Sequence, residues 1–99
     1  MPAQFSLTPS SVQYSITADI DPGVIARVTE LFALRGLVPD FLKVSRYKKI
    51  THIPECLSID VRVSGLNQHD QEVILRKLSS TICVQTVRKE VFFAKRNAA

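Results

Sequence analysis

The sequence predicts an α+β domain in the order β-α-β-β-α-β, with two helices on one face of a four-stranded antiparallel sheet. Three observations carry this. Two stretches, Val12 to Ala18 and Leu57 to Ser64, alternate apolar and polar residues, as half-buried strands do. Between them, Asp21 to Gly36 holds a helix start, an apolar stripe and a helix stop in that order. Gly23, Gly36 and Gly65 are all the glycines in the chain, and each falls at a junction between segments.

Residues 1–11, with Pro2, Pro9 and three serines, show no sustained periodicity and are expected to form a flexible arm. In the first strand Val12, Tyr14, Ile16 and Ala18 face inward, and Gln13, Ser15 and Thr17 outward. A helix should follow from about Pro22 to Arg35. Asp21 can accept a hydrogen bond from a first-turn amide, and Pro22 presets φ where no donor is needed. Val24, Ile25, Val28, Leu31 and Phe32 repeat at three and four residues, and the stem of Arg35 extends their stripe. At roughly 2 kcal/mol per buried side chain, that stripe is worth on the order of 10 kcal/mol before entropy is counted. Gly36 can take the left-handed conformation that ends a helix, and Pro39 forbids resumption.

Leu37 to Tyr47 reads as a second strand, with Leu42 and Val44 inward and Lys43, Ser45 and Tyr47 outward. Pro39 near its start places it at an edge. Lys48 to Glu55 is a long hairpin connection. In the third strand Leu57, Ile59, Val61 and Val63 alternate with Ser58, Asp60, Arg62 and Ser64, which marks it as central. Asn67 followed by Asp70 resembles a capping box, and opens a second helix with Val73, Ile74, Leu75 and Leu78 on its apolar side. Ile82 to Val91 is the last strand, with Ile82 and Val84 inward. The folded unit is thus expected over residues 12–92, with a frayed tail over 93–99. Right-handed crossovers give this order the ferredoxin-like arrangement, in which the first and third strands are central. The third and fourth strands are then not neighbours, so Cys56 and Cys83 should not form a disulfide.

A chain of 99 residues supports one core and not two. With 45% hydrophobic and 22% charged residues, it has the composition of an ordinary folded domain. No apolar run is long enough to cross a bilayer, and the first residues lack the pattern of a secretory signal, so no membrane partner and a cytoplasmic location are expected. The net charge of +4 permits an anionic partner without demanding one. His52 and His69 are isolated, the cysteines lack metal-site spacing, and no metal or cofactor is expected. No nucleophile, base and orienting group can be assembled, so no catalytic residue is assigned and the chain reads as a binding or regulatory module rather than an enzyme. Arg46, Tyr47, Lys48 and Lys49 form a basic hairpin, which makes a nucleic-acid-binding ferredoxin-like domain the alternative function. Against it, the outward residues of the third strand include no aromatic on which a base would stack.

The segment Asp-Pro-Gly-Val-Ile-Ala-Arg-Val-Thr-Glu-Leu-Phe-Ala-Leu-Arg-Gly-Leu resembles the signature of the ACT domain family, in particular the small regulatory subunit of acetolactate synthase. Pro22, Gly23, Ile25, Arg27, Val28, Leu31, Phe32, Arg35 and Gly36 match its pattern, and Glu72 to Val87 resembles the second helix and last strand around Leu78, Ile82 and Val84. The resemblance spans Val12 to Val91. It implies a non-catalytic module that binds a small amino acid where the first loop of one subunit meets another subunit. Homodimerisation and a catalytic large subunit of acetolactate synthase type are the partners it implies. The ligand residues would be Ile20, Asp21, Pro22, Gly23, Val24 and Ile25, with free amides at the helix start receiving an α-carboxylate. Val38 stands where the family pattern has Asn, so a side-chain amide is missing from that position.

Overall fold

The computed structural model describes residues 8–48 and 54–94. Its elements are β1 (Thr8–Ala18), α1 (Pro22–Leu34), β2 (Phe41–Tyr47), β3 (Cys56–Ser64), α2 (Gln68–Ser79) and β4 (Val84–Ala94). The strands form one sheet in the order β2-β3-β1-β4, with every neighbouring pair antiparallel. This is the expected ferredoxin-like arrangement, and β1 and β3 are central.

The alternation of β1 and β3 becomes the floor of the core. Val12, Tyr14, Ile16 and Ala18 are buried beside Leu57, Ile59, Val61 and Val63, in register Val12 to Val63 and Ile16 to Ile59. From above, α1 contributes Val24, Val28 and Phe32, and α2 contributes Ile74 and Leu78, with Ile25, Leu31 and Leu75 partly buried around them. The Tyr14 and Phe32 rings meet at 6.0 Å between centroids, tilted by 57°. Tyr14 buries its hydroxyl and satisfies it by donating to the Gln71 carbonyl at 2.7 Å. Burial pushes that phenol's pKa up, and the charge of Glu72 adds to the effect. Buried Gln71 is satisfied in turn, its side-chain amide donating to the Leu66 carbonyl at 3.1 Å.

Both helix ends follow the sequence. Gly36 has φ +72, its N–H donates to the Ala33 carbonyl at 2.9 Å, and the Leu37 N–H reaches the Phe32 carbonyl at 2.9 Å, which together make a Schellman stop. Asn67 caps α2 by accepting from the Asp70 N–H at 2.7 Å.

Five expectations are corrected. β1 begins at Thr8 and not at Val12, because Thr8 pairs with Ala94 and Pro9 with Phe93; β4 accordingly extends to Ala94, and residues 1–7 and 95–99 lie outside the described residues. β2 begins at Phe41, after Pro39. Leu42 and Val44 do lie on the helix face, paired with buried Val61 and Ile59, yet they remain 44% and 37% exposed because the helix layer does not close over this edge. Ile82 is 69% exposed: it precedes β4 in a turn closed by the left-handed Cys83, φ 75, so it never joins the alternation.

The two edges differ. α2 packs against β4, whose run Arg88-Lys89-Glu90 is charged, whose Lys89 ion-pairs with Glu72, and whose pairing with β1 shifts register twice. β2 has no register shift and carries Leu42 and Val44 uncovered. On the open face, Arg62 lies between the rings of Phe41, 5.8 Å away, and Phe92, 4.6 Å away. Its guanidinium also donates twice to Gln13 Oε1, at 2.8 and 3.2 Å.

Candidate functional site

The chain leaves β1 at Ala18 and enters α1 through an elbow, Asp19 to Pro22. Asp21 is extended, with φ -148 and ψ 120, as an N-cap must be. Its Oδ1 accepts from the Gly23 N–H at 2.8 Å, and its main-chain carbonyl accepts from the Val24 N–H at 3.1 Å. Pro22 has no N–H to offer. The amides expected to be free for a ligand carboxylate are therefore already bonded, and Asp21 supplies both acceptors. Had the N-cap residue lacked a side-chain acceptor, the Gly23 amide would have pointed outward unpaired.

A second loop braces the elbow. The Cys83 thiol donates to Asp21 Oδ2 at 3.4 Å, the Asp19 N–H donates to the Cys83 carbonyl at 2.8 Å, and the Gln85 amide donates to Asp19 Oδ1 at 2.6 Å. The Gly23 hydrogen bond, then that of Cys83 and more weakly the charge of Arg27, hold the Asp21 carboxyl below its ordinary pKa. The same Asp21 hydrogen bond, followed by burial, pushes the Cys83 thiol up and keeps it protonated. The Arg27 side chain folds back over the helix start. A Cβ added at Gly23 would lie 3.2 Å from an Arg27 guanidinium nitrogen and 3.2 Å from Asp21 Oδ1, so this position is used for close approach.

The seven sequence-predicted site residues divide into two groups. Ile20 is 41% exposed, Pro22 is exposed, and Asp21, Gly23 and Ile25 are half-buried at the elbow, whereas the Val24 side chain is buried in the core. Val38 is 85% exposed beyond the other end of α1. That helix has 13 residues. At 1.5 Å each it is about 20 Å long, so one chain does not bring Val38 to the elbow.

Beside the elbow, the ends of all four strands frame an open groove of about 650 Å³ whose lining includes Asp19, Ile20, Arg46, Glu55, Cys56 and Gln85. Arg46 donates to Glu55 at 2.7 Å across its rim. Nothing in the sequence places Cys83, Arg46, Glu55 or Gln85 at this site: Arg46 reads there as part of a basic hairpin and Cys83 as a free thiol, and each reaches the site through pairing across the sheet rather than local spacing. Pairing with Glu55 also offsets the charge of Arg46, which with Tyr47 and Lys48 makes up the described part of the basic hairpin; Lys49 lies outside the described residues. Among the described residues no group of His, Cys, Asp and Glu is arranged to hold a metal ion, and no helix is long and apolar enough to cross a membrane.

A family profile for the ACT-like domain matches residues 5–96, a span that includes the Pro-Gly elbow. The chain belongs to the ACT-like domain family. Solved structures with the same fold include the ACT domain of GTP pyrophosphokinase from Chlorobium tepidum, with a TM-score of 0.65 at 12% identity, covering 84% of this chain and 100% of that one. The C-terminal domain of the MgtC protein from Mycobacterium tuberculosis gives a TM-score of 0.65 at 10% identity, covering 92% and 95%. The regulatory subunit of aspartate kinase from Thermus thermophilus, in its ligand-free form, gives 0.57 at 17% identity, covering 91% and 60%. At these identities the likeness of this ACT-like domain to each of them is one of fold. No curated protein matches the chain.

Proposed function

We propose that this ACT-like domain is a non-catalytic regulatory module of the cytoplasm that works by assembly, as a homodimer and as the small subunit of a catalytic chain of acetolactate synthase type. The observation that carries this reading is the separation of the elbow and Val38 by the length of α1, with both exposed. A cleft containing both would have to lie between copies. The resemblance of Pro22 to Gly36 to the small subunit of acetolactate synthase supports the choice of catalytic partner.

A small amino acid would lie in that cleft, against Ile20, Asp21, Pro22, Gly23, Val24 and Ile25 of one copy and Val38 of the other. Its carboxylate would have to displace Asp21 from the Gly23 amide and would meet the charge of Asp21 in doing so. The geometry therefore favours support of a partner over feedback by a free amino acid. Co-purification with an acetolactate synthase large subunit, together with calorimetry against valine, leucine and isoleucine, tests the two roles. Capture of the large subunit without heat from the amino acids is the expected result. Failure in both assays would leave the chain with the family's fold and neither role.

A further inference from the structure

The outer face of the helix layer holds a groove that neither the core nor the elbow uses. It lies between α1 and α2, has a volume of about 380 Å³, and is lined by Arg27, Glu30, Leu31, Leu34, Arg35 and Lys77. Leu31 is half-buried and supplies the apolar floor, whereas Leu34 is 79% exposed. Leu34 stands off the stripe of Val24, Val28 and Phe32 that packs on the sheet, so the fold does not require a leucine there. It is also the one large apolar side chain exposed on either helix among the described residues.

The charges around these leucines are lopsided. Three cations line the groove against one carboxylate, that of Glu30. Among the described residues Arg27 and Lys77 have no ion pair. Arg35 has a single long one, to Asp70 at 3.5 Å, with the two side chains 31% and 37% exposed. So exposed a pair is worth little and leaves Arg35 available to a stronger partner. Lys77 also borders a smaller hollow on α2 with Val73, Arg76 and Ser80, which carries the positive rim onward.

We propose that this groove docks an acidic amphipathic helix of a partner protein. One apolar side chain of that helix sits between Leu31 and Leu34, and carboxylates on either side of it reach Arg27 at one end and Arg35 and Lys77 at the other. From Arg27 to Arg35, α1 advances about 12 Å at 1.5 Å per residue, a little over two turns of a facing helix. Side chains three or four apart share one face of a helix, so the occupant reads acidic, apolar, acidic at such intervals. Laying an apolar stripe into a groove is a general mode of helix recognition, and the cations select an acidic helix over a basic one. A membrane surface fits less well, because one exposed leucine offers too little apolar area to anchor the face in lipid. The docking needs neither the elbow site nor a particular catalytic chain, since Leu34 and Arg35 lie at the end of α1 remote from Asp21.

The probe is an alanine-rich helical peptide carrying Glu, Leu and Glu at i, i+4 and i+8, titrated into the isotope-labelled chain and followed by NMR. Amide shifts should move at Leu31, Leu34, Arg35 and Lys77 and stay in place at Arg46 and Lys48 of the hairpin. Leu34→Ser should weaken binding about tenfold while melting like the wild type, as loss of a seated anchor does. If Leu34→Ser melts lower, Lys77→Glu on the exposed side of α2 decides, and it too should weaken binding about tenfold. The same peptide with lysine in place of both glutamates should not bind. No shift at millimolar peptide, shifts centred on the hairpin, or equal affinity for a peptide with serine in place of leucine overturns the proposal. So does binding to phosphatidylglycerol vesicles that Leu34→Ser abolishes while the peptide leaves the spectrum unchanged, which would make this face a membrane contact.

Discussion

Asp21 and Cys83 meet at 3.4 Å across 62 residues of sequence, and the carboxylate that takes the thiol on one oxygen takes the Gly23 amide on the other. One side chain thus ends the first loop, starts α1 and clips the entry to β4. Its charge state should be visible in folding.

Because the folded state lowers the pKa of Asp21 from 3.8, the unfolded chain binds more protons below that value. The contribution of Asp21 to stability is complete above pH of about 4 and is lost as pH falls through the lower, folded value. Urea midpoints measured down this range should fall more steeply for the wild type than for Asp21→Asn, which keeps a cap acceptor and cannot titrate.

Phe32→Ala should cost about 3–5 kcal/mol, since Phe32 is fully buried against Tyr14 between helix and sheet. Tyr14→Phe should cost only about 1 kcal/mol, because it deletes one buried hydrogen bond without opening a large cavity. Equilibrium unfolding in urea ranks the two variants, and equal losses would contradict this account of the core.

Gly36→Ala should cost about 1–2 kcal/mol, although a Cβ there meets nothing within 4 Å, because φ is +72. Gly23→Ala tests the opposite case: its backbone is ordinary, and the added methyl presses on the movable end of Arg27 and on Asp21. Thermal melts should show the larger loss at Gly36.

Arg62→Lys should lower stability by about 1 kcal/mol, since lysine keeps the charge but loses the flat group held between Phe41 and Phe92 and the paired donation to Gln13. Urea denaturation checks the size. Loss of the upfield ring-current shifts of the Arg62 side chain in NMR spectra checks the cause.

Effector binding should be obtainable by repair. On the proposed amino-acid reading, Asp21→Gly frees the Gly23 amide and Val38→Asn supplies a side-chain amide at the second position. Calorimetry with valine should give heat for the double variant and none for the wild type, and no heat in either would remove the elbow as an amino-acid seat.

Much of the fold was legible because its signals are local. The alternation in β1 and β3, the Asp21-Pro22 start and the Gly36 stop each need only a few neighbouring residues. What escaped was tertiary. Leu42 and Val44 alternate as inward residues should, but no pattern within β2 reveals how far the helix layer reaches. Thr8 joins β1 through Ala94, at the far end of the chain, and Cys83 leaves the extended conformation to close a turn that Ile82 gave no reason to expect. At the candidate site the elbow itself was readable. Its amides were expected to be free although Asp21 reads as a cap, and the Cys83 contact that completes the arrangement spans most of the sequence.

The contrast between the two sheet edges bears on how far association can run. Endless growth of a sheet from copy to copy uses both of its edges, and one of them here is β4, charged and twice shifted in register. That edge offers no smooth ladder to another chain, so the route to a fibre is blocked.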